Sequence, residues 1–227
     1  MDKHQLLFFP FNGNAREVLQ VAFAQNKIKK RWDIIGFVDN DLNKKGEVCC
    51  GVRVLGNRDI LRKYPNAKII AVPGRDTNFY KRRQIISSLG VNPARWAALI
   101  HPNVILAKDA KLGYNTVLMP GCVISVGVSI GNHCLFLANS VVSHDSCVGD
   151  YTLVGSGVSI SGSVNIGDSC YIGSGSKIIQ EIMIGNGALV GIGSVVIRPV
   201  QKETVVAGCP AKIIKSVKMH KQISRRN

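Results

Sequence analysis

From Ile100 to Val196 every sixth residue is aliphatic or aromatic. The series runs Ile100, Leu106, Leu112, Leu118, Ile124, Ile130, Phe136, Val142, Val148, Val154, Ile160, Ile166, Ile172, Ile178, Ile184, Val190 and Val196, seventeen anchors without an insertion. Four positions beyond most of them stands a small or β-branched residue, as at Thr116, Cys122, Val128, Cys134, Ser140, Ser146 and Thr152. Neither helical periodicity nor the simple alternation of a long strand produces such a series. A repeat of this kind specifies stacked units that bury their apolar edges against each other.

A longer period lies over the short one. Aliphatic–glycine pairs recur every eighteen residues, at Leu112-Gly113, Ile130-Gly131, Val148-Gly149, Ile166-Gly167 and Ile184-Gly185. One coil is therefore three short strands joined by three corners, and glycine suits corners because it tolerates positive φ. Coils stacked at strand spacing make a prism roughly 27 Å long.

The first hundred residues have a different texture. Residues 5–11 read as a buried strand, followed at once by Asn12-Gly13-Asn14. Residues 15–25 then place Val18, Leu19, Ala22 and Phe23 on one helical face. A strand, a glycine turn and a helix N-terminus form an arrangement that suits a phosphate, although the spacing is not that of a dinucleotide fingerprint. Residues 34–38 predict a second strand ending at Asp39-Asn40. An acidic residue at that place often accepts from a ribose, and equally often only begins a turn. A short strand at 52–55, a short helix after Asn57, a third strand at 68–72 closed by Pro73-Gly74, and a last strand at 97–100 follow. Residues 77–89 predict a basic amphipathic helix with Lys81, Arg82 and Arg83 on its solvated face. Strands alternating with helices argue a small, mostly parallel, Rossmann-like α/β sheet. Three segments result: an α/β domain at 1–100, a β-helix at 101–211, and a basic tail at 212–227, which is either frayed or a short helix with Ile213, Val217 and His220 on one face.

The net charge of +15 serves either solubility or an anionic partner. It is spread along the chain with few aromatics and no nucleic-acid motif, so small phosphorylated ligands are expected rather than nucleic acid. No apolar run approaches the length of a membrane span, and no signal pattern opens the chain. A cytoplasmic protein without stable membrane insertion is expected. The seven cysteines match no zinc or redox spacing. Cys122, Cys134 and Cys170 fall on the small inward position, where a thiol acts as a small hydrophobe.

His144, followed by Asp145, is the one candidate for chemistry in the repeat. Imidazole serves as a base near neutral pH, and an adjacent carboxylate orients it and raises its basicity. Cys147 has no neighbour that marks it as an activated nucleophile. Gly155 and Gly173 are candidates, by position, for backbone donors to an oxyanion.

The hexads, together with Val206-Ala207-Gly208-Cys209-Pro210-Ala211-Lys212, resemble the left-handed β-helix acyltransferases. More narrowly, the chain is similar to bacterial sugar acetyltransferases with a small N-terminal α/β domain, including nucleotide-amino-sugar N-acetyltransferases and sialic acid O-acetyltransferases. The hexad Val142-Ser143-His144-Asp145-Ser146-Cys147 resembles their active-site hexad. The resemblance implies left-handed coils, against the usual hand of parallel crossovers, and a homotrimer with acyl-CoA between neighbouring prisms. It implies His144 as general base, tuned by Asp145. It implies acetyl-CoA contacts at Leu153, Ser174 and Ile192, and near Gly208 and Pro210 at the adenine end. Leu153 stands where relatives often carry histidine. Nucleotide-sugar contacts are implied at Asn12, Gly13, Asn14, Asp39, Asn40 and Pro73, although Asn14 replaces a histidine of the usual turn.

The function expected is CoA-dependent N-acetylation of a nucleotide-linked amino sugar in surface-glycan biosynthesis, without a metal. O-acetylation of a sialic-acid-like sugar and a non-catalytic scaffold are the alternatives. A β-helical zinc enzyme would need three converging histidines, and the repeat offers only His101, His133 and His144.

Overall fold

Every anchor is the second residue of a two-residue strand, from Leu99–Ile100 to Val195–Val196. The computed structural model describes residues 3–217. Each strand pairs in parallel with the strand eighteen residues on, as Val123–Ile124 does with Val141–Val142. Three parallel sheets result, and they wrap a left-handed parallel β-helix. One face holds Leu99–Ile100, Val117–Leu118, Leu135–Phe136, Leu153–Val154, Tyr171–Ile172 and Leu189–Val190. It is the covered face. The second face starts at Ile105–Leu106 and the third at Lys111–Leu112. The first corner joins the covered face to the second, the second corner joins second to third, and the third corner returns to the covered face.

The anchors form the prism's interior, with Ile124, Phe136, Val142, Val154 and Ile172 fully buried. The small positions do more than fill space. Thr116 Oγ1 donates to Gly131 O at 2.8 Å, Ser140 Oγ to Gly155 O at 2.7 Å and Thr152 Oγ1 to Gly167 O at 3.0 Å, always fifteen residues ahead. Cys134 and Cys170 make the same contact, to Gly149 O at 3.1 Å and Gly185 O at 3.2 Å. These thiols are weak donors in a hydroxyl's place. Burial pushes both up to about 12, so they are not nucleophiles.

The N-terminal unit comprises β1 (His4–Phe9), α1 (Gly13–Ile28), β2 (Trp32–Val38), β3 (Val48–Cys49), β4 (Val52–Gly56), α2 (Ile60–Lys63), β5 (Lys68–Ala71) and α3 (Arg82–Ser87). Its sheet runs β3-β4-β2-β1-β5, parallel except between β3 and β4. Helix α1 buries Val18, Leu19 and Ala22, as its pattern predicts. It starts where Asn12 Oδ1 accepts from Ala15 N at 2.8 Å, satisfying a first-turn amide.

The two units share a seam. Leu99, Val117, Leu135 and Leu153, the outward residues of the covered face, pack in one cluster with Leu6, Phe8, Val18 and Phe37. β5 is an edge strand, a place where unpaired backbone groups invite trouble. Asn115, at a corner with φ of 52°, closes that edge: its Oδ1 accepts from Ala71 N and its Nδ2 donates to Ala71 O, both at 2.8 Å.

The helix expected at 77–89 is shorter, a 3-10 turn at Phe79–Lys81 followed by α3. Its solvated face is also corrected at one residue. Arg82 is 0% exposed. Its Nε donates to Tyr151 O at 3.0 Å, its Nη2 to His133 O at 2.7 Å, and its Nη1 to Pro73 O. A basic residue in a helix pattern reads as solvated, and only the third corner shows why this one is not. The C-terminal expectation is corrected too: Ala211–Ser216 is a strand antiparallel to Thr204–Gly208, not a helix. Gly208, at φ of 105°, reverses the chain onto the open edge of the last coil. His220 lies outside the described residues.

His133 is buried in the same seam, stacked on Tyr151 at 4.6 Å between ring centroids. Its Nδ1 faces Asn115 Nδ2 at 2.8 Å, and an amide nitrogen only donates, so Nδ1 is an acceptor and the ring is neutral. Burial, then the nearby Arg82 charge, hold its pKa down to about 4. The unfolded chain takes up this proton near pH 6.5 and the folded chain near 4, so stability falls as pH drops through that window. Urea titrations at intervals across it are expected to show a slope approaching 1.4 kcal/mol per pH unit. That slope is expected to disappear in His133→Gln.

Candidate active site

His144 stands on the second corner, the edge of the prism opposite the covered face. Its Nδ1 lies 2.9 Å from Asp145 Oδ2. A carboxylate only accepts, so Nδ1 carries the proton and Nε2 keeps a free lone pair. The strand before it, Val141–Val142, and the strand after it, Cys147–Val148, fix the corner on both sides. Asp145 adopts the left-handed conformation, φ 58°, which the corner requires and which aspartate tolerates better than most residues. Both side chains are open to solvent, 60% and 66% exposed. The same corner also exposes Val126, one coil before His144, and Ile179, two coils after it.

A second region lies along the first corner. Gly155, Gly173 with Ser174, and Ile192 follow one another on successive coils, and Ile192 is 78% exposed. Gly208 N donates to Ser194 Oγ on this corner at 3.3 Å, which brings the Gly208–Pro210 turn to the same edge.

A third region is a cavity of about 580 Å³ at the start of α1, lined by Asn12, Gly13, Asn14, Pro73, Gly74 and Arg75 among others. That volume falls in the range of small-molecule sites. Asn12 Nδ2 donates to Val72 O at 3.3 Å and Asn14 Nδ2 to Gly74 O at 3.1 Å, so both amides tie the first turn to the exit of β5. A Cβ on Gly13 would meet nothing within 4 Å, which leaves the turn open towards the cavity.

The chain is 25% identical to the acetyltransferase domain of PglB from Neisseria gonorrhoeae in complex with acetyl coenzyme A, over 94% of this chain and 100% of that one, with a TM-score of 0.82. Over nearly its whole length the chain is similar to hexapeptide-repeat sugar N-acetyltransferases. WeeI from Acinetobacter baumannii is similar at 26% identity, 94% and 100% coverage and a TM-score of 0.78. The perosamine N-acetyltransferase of Caulobacter crescentus, in complex with CoA and GDP-perosamine, shares the fold at 22% identity, 95% and 99% coverage and a TM-score of 0.82. Residues 95–206 match the family model described as the GMPPB C-terminal domain. No curated protein sequence matches the chain.

Several residues expected to contact the donor or the nucleotide-sugar are placed otherwise. Leu153 is 3% exposed and packs under the N-terminal unit, so its side chain cannot reach a ligand on the first corner. The amides of Gly155 and Gly173 already donate to Ile172 O and Val190 O, both at 2.8 Å; they are rungs of the ladder and not oxyanion donors. Asp39 accepts from Phe11 N at 2.9 Å, Asp41 N at 2.9 Å and Lys44 Nζ at 3.0 Å. It clamps the exits of β1 and β2 and does not line the cavity, nor does Asn40, whose Oδ1 accepts from Arg58 N at 3.3 Å.

Two further residues stand in these regions. Among the described residues, the Gly162 N–H donates to no acceptor, and it sits one coil from His144 beside its ring. Arg75 is a cation in the cavity wall, its Nε held by Thr77 Oγ1 at 2.9 Å. Neither stands in a recognisable motif; only the eighteen-residue register places Gly162 against His144. The histidines His101, His133 and His144 stand on three different corners and do not converge.

Proposed function

We propose that this enzyme transfers the acetyl group of acetyl-CoA to the amino group of a nucleotide-linked sugar, in surface-glycan biosynthesis, with His144 as general base. The similarity to acetyl-CoA-dependent nucleotide-sugar N-acetyltransferases supports the reaction class. One observation carries the base: His144 Nδ1 is committed to Asp145 at 2.9 Å, which leaves Nε2 as the proton acceptor. Nε2 takes the proton that the amine loses as nitrogen attacks the thioester carbonyl. The Gly162 N–H donates to the carbonyl oxygen as charge gathers there. His144 then returns its proton to the departing sulfur, and the base is restored. No covalent enzyme intermediate is needed.

The N-terminal unit binds the nucleotide-sugar in the 580 Å³ cavity, with Arg75 favouring phosphate. The donor lies along the first corner, against Gly173, Ser174, Ile192 and Gly208. His144 is on a different edge of the same prism, so one chain cannot complete the site alone. A homotrimer in which the second corner of one copy faces the first corner of the next supplies what is missing and covers the exposed Val126 and Ile179. No helix among the described residues is long and apolar enough to cross a membrane; we place the enzyme in the cytoplasm, with its two charged substrates.

The test is a panel of UDP-, dTDP-, CDP- and GDP-linked amino sugars incubated with acetyl-CoA, followed by release of free thiol. Turnover with one nucleotide series and not the corresponding hydroxyl sugar is expected. Absence of turnover across the whole panel would sink the N-acetylation reading.

A further inference from the structure

We infer that Gly162 is a positioning residue for the His144 imidazole, its missing side chain leaving the floor on which the ring lies. The inference rests on the reading of His144 as the base. A Cβ built on Gly162 would stand 2.5 Å from both Cε1 and Nε2 of His144 and 3.1 Å from its Cδ2. Carbon atoms in ordinary contact sit about 3.5–4.0 Å apart, so the ring occupies the place of a side chain.

The backbone does not ask for this glycine. Its φ lies outside the left-handed region, unlike that of Gly127, Gly157 and Gly175. The same corner position on successive coils is held by Lys108, Val126, His144 and Gln180, all of which carry side chains. Glycine occurs in this column at the one coil that the imidazole overlies. Two restraints thus act on the ring: Asp145 holds Nδ1 from its own corner, and Gly162 lets the ring lean along the prism onto the next coil. Together they give Nε2 a single direction, beside the free amide of the same glycine.

Gly162→Ala keeps that amide and adds only the methyl group. The ring must then retreat by about 1 Å to reach ordinary contact distance. A misplacement of that size is expected to lower kcat on the order of 10- to 100-fold, with KM for acetyl-CoA and the thermal midpoint unchanged. In a His144→Gln background the same methyl is expected to cost nothing further, because the group it displaces is gone. A crystal structure of Gly162→Ala is expected to show the imidazole displaced from its place over residue 162. Wild-type turnover by Gly162→Ala overturns the proposal. An equal loss in the His144→Gln background overturns it too, since the methyl would then act on the donor or the amide. So does a lowered thermal midpoint, which would mean that the backbone needs the glycine. If His144→Gln itself keeps full activity, the base reading fails; the displaced or undisplaced ring in the crystal then decides the floor by itself.

Discussion

His144→Ala is expected to lower kcat on the order of 10²- to 10⁴-fold, the range that a positioned general base contributes. KM for acetyl-CoA should change little, because the residues placed along the donor's edge belong to a different corner. The fold should be indifferent. His144 is 60% exposed, buries no apolar surface of consequence, and shares its corner position with Val126 and Gln180. The Asp145→Asn variant should fall between wild type and His144→Ala, since an amide still bonds Nδ1 but carries no charge. Steady-state kinetics with an accepted nucleotide-sugar, beside a thermal melt of each variant, separate these effects. Retention of full turnover by His144→Ala would remove the chemistry proposed for this corner, whatever the substrate proves to be.

The largest loss of stability is expected at Arg82. Its guanidinium gives three bonds, to Pro73 O on the N-terminal unit and to His133 O and Tyr151 O on two coils of the prism. Arg82→Ala orphans three carbonyls in a buried seam, at about 1–3 kcal/mol each where no water replaces the donor, and opens a cavity besides. Against this stands relief from burying a charge that has no acidic partner among the described residues, a burden visible in the lowering of its pKa to about 10. The three carbonyls are the heavier side of the balance. A destabilisation of about 3–5 kcal/mol is therefore expected for Arg82→Ala. Arg82→Lys should recover little, because one ammonium cannot span carbonyls that a planar fork reaches. Urea unfolding followed by a fluorescence probe near Trp96 measures it; a loss below about 1 kcal/mol would show that water already serves these carbonyls.

The prism was legible because its signal is periodic and local. Each anchor needs only its own hexad to be recognised, and all seventeen fall on strands. The corner bearing His144 was legible for the same reason. What escaped are contacts that one part of the chain makes with a distant one. Alignment with a histidine of similar proteins puts Leu153 at a ligand, and alignment carries no information on what covers it. Yet Leu99, Val117, Leu135 and Leu153 repeat every eighteen residues one place before the anchor, where the third face carries Lys111, Ser129, Cys147 and Asn165. An outward apolar column marks a covered face, so the seam was written in the sequence. Arg82 was not: nothing in the local pattern of α3 announces three carbonyls from elsewhere. Asp39 lies between these cases, since an acid at the end of a second strand serves a ribose in some sheets and a lysine here. Gly162 is legible only once His144 is given a direction.

The eighteen-residue coil also limits how such a gene can change length. A loop absorbs a few extra codons locally, whereas here six residues added after His144 would turn everything downstream by a third of a revolution. Gly173, Ser174 and Ile192 would move to another edge of the prism, each hexad still well formed and the core still apolar. Such a protein would be catalytically out of phase, and Tyr151 and Leu153 would leave the covered face. Lengthening that preserves function therefore comes in whole coils, and the chain's history of insertions should be sought in its first hundred residues and its ends.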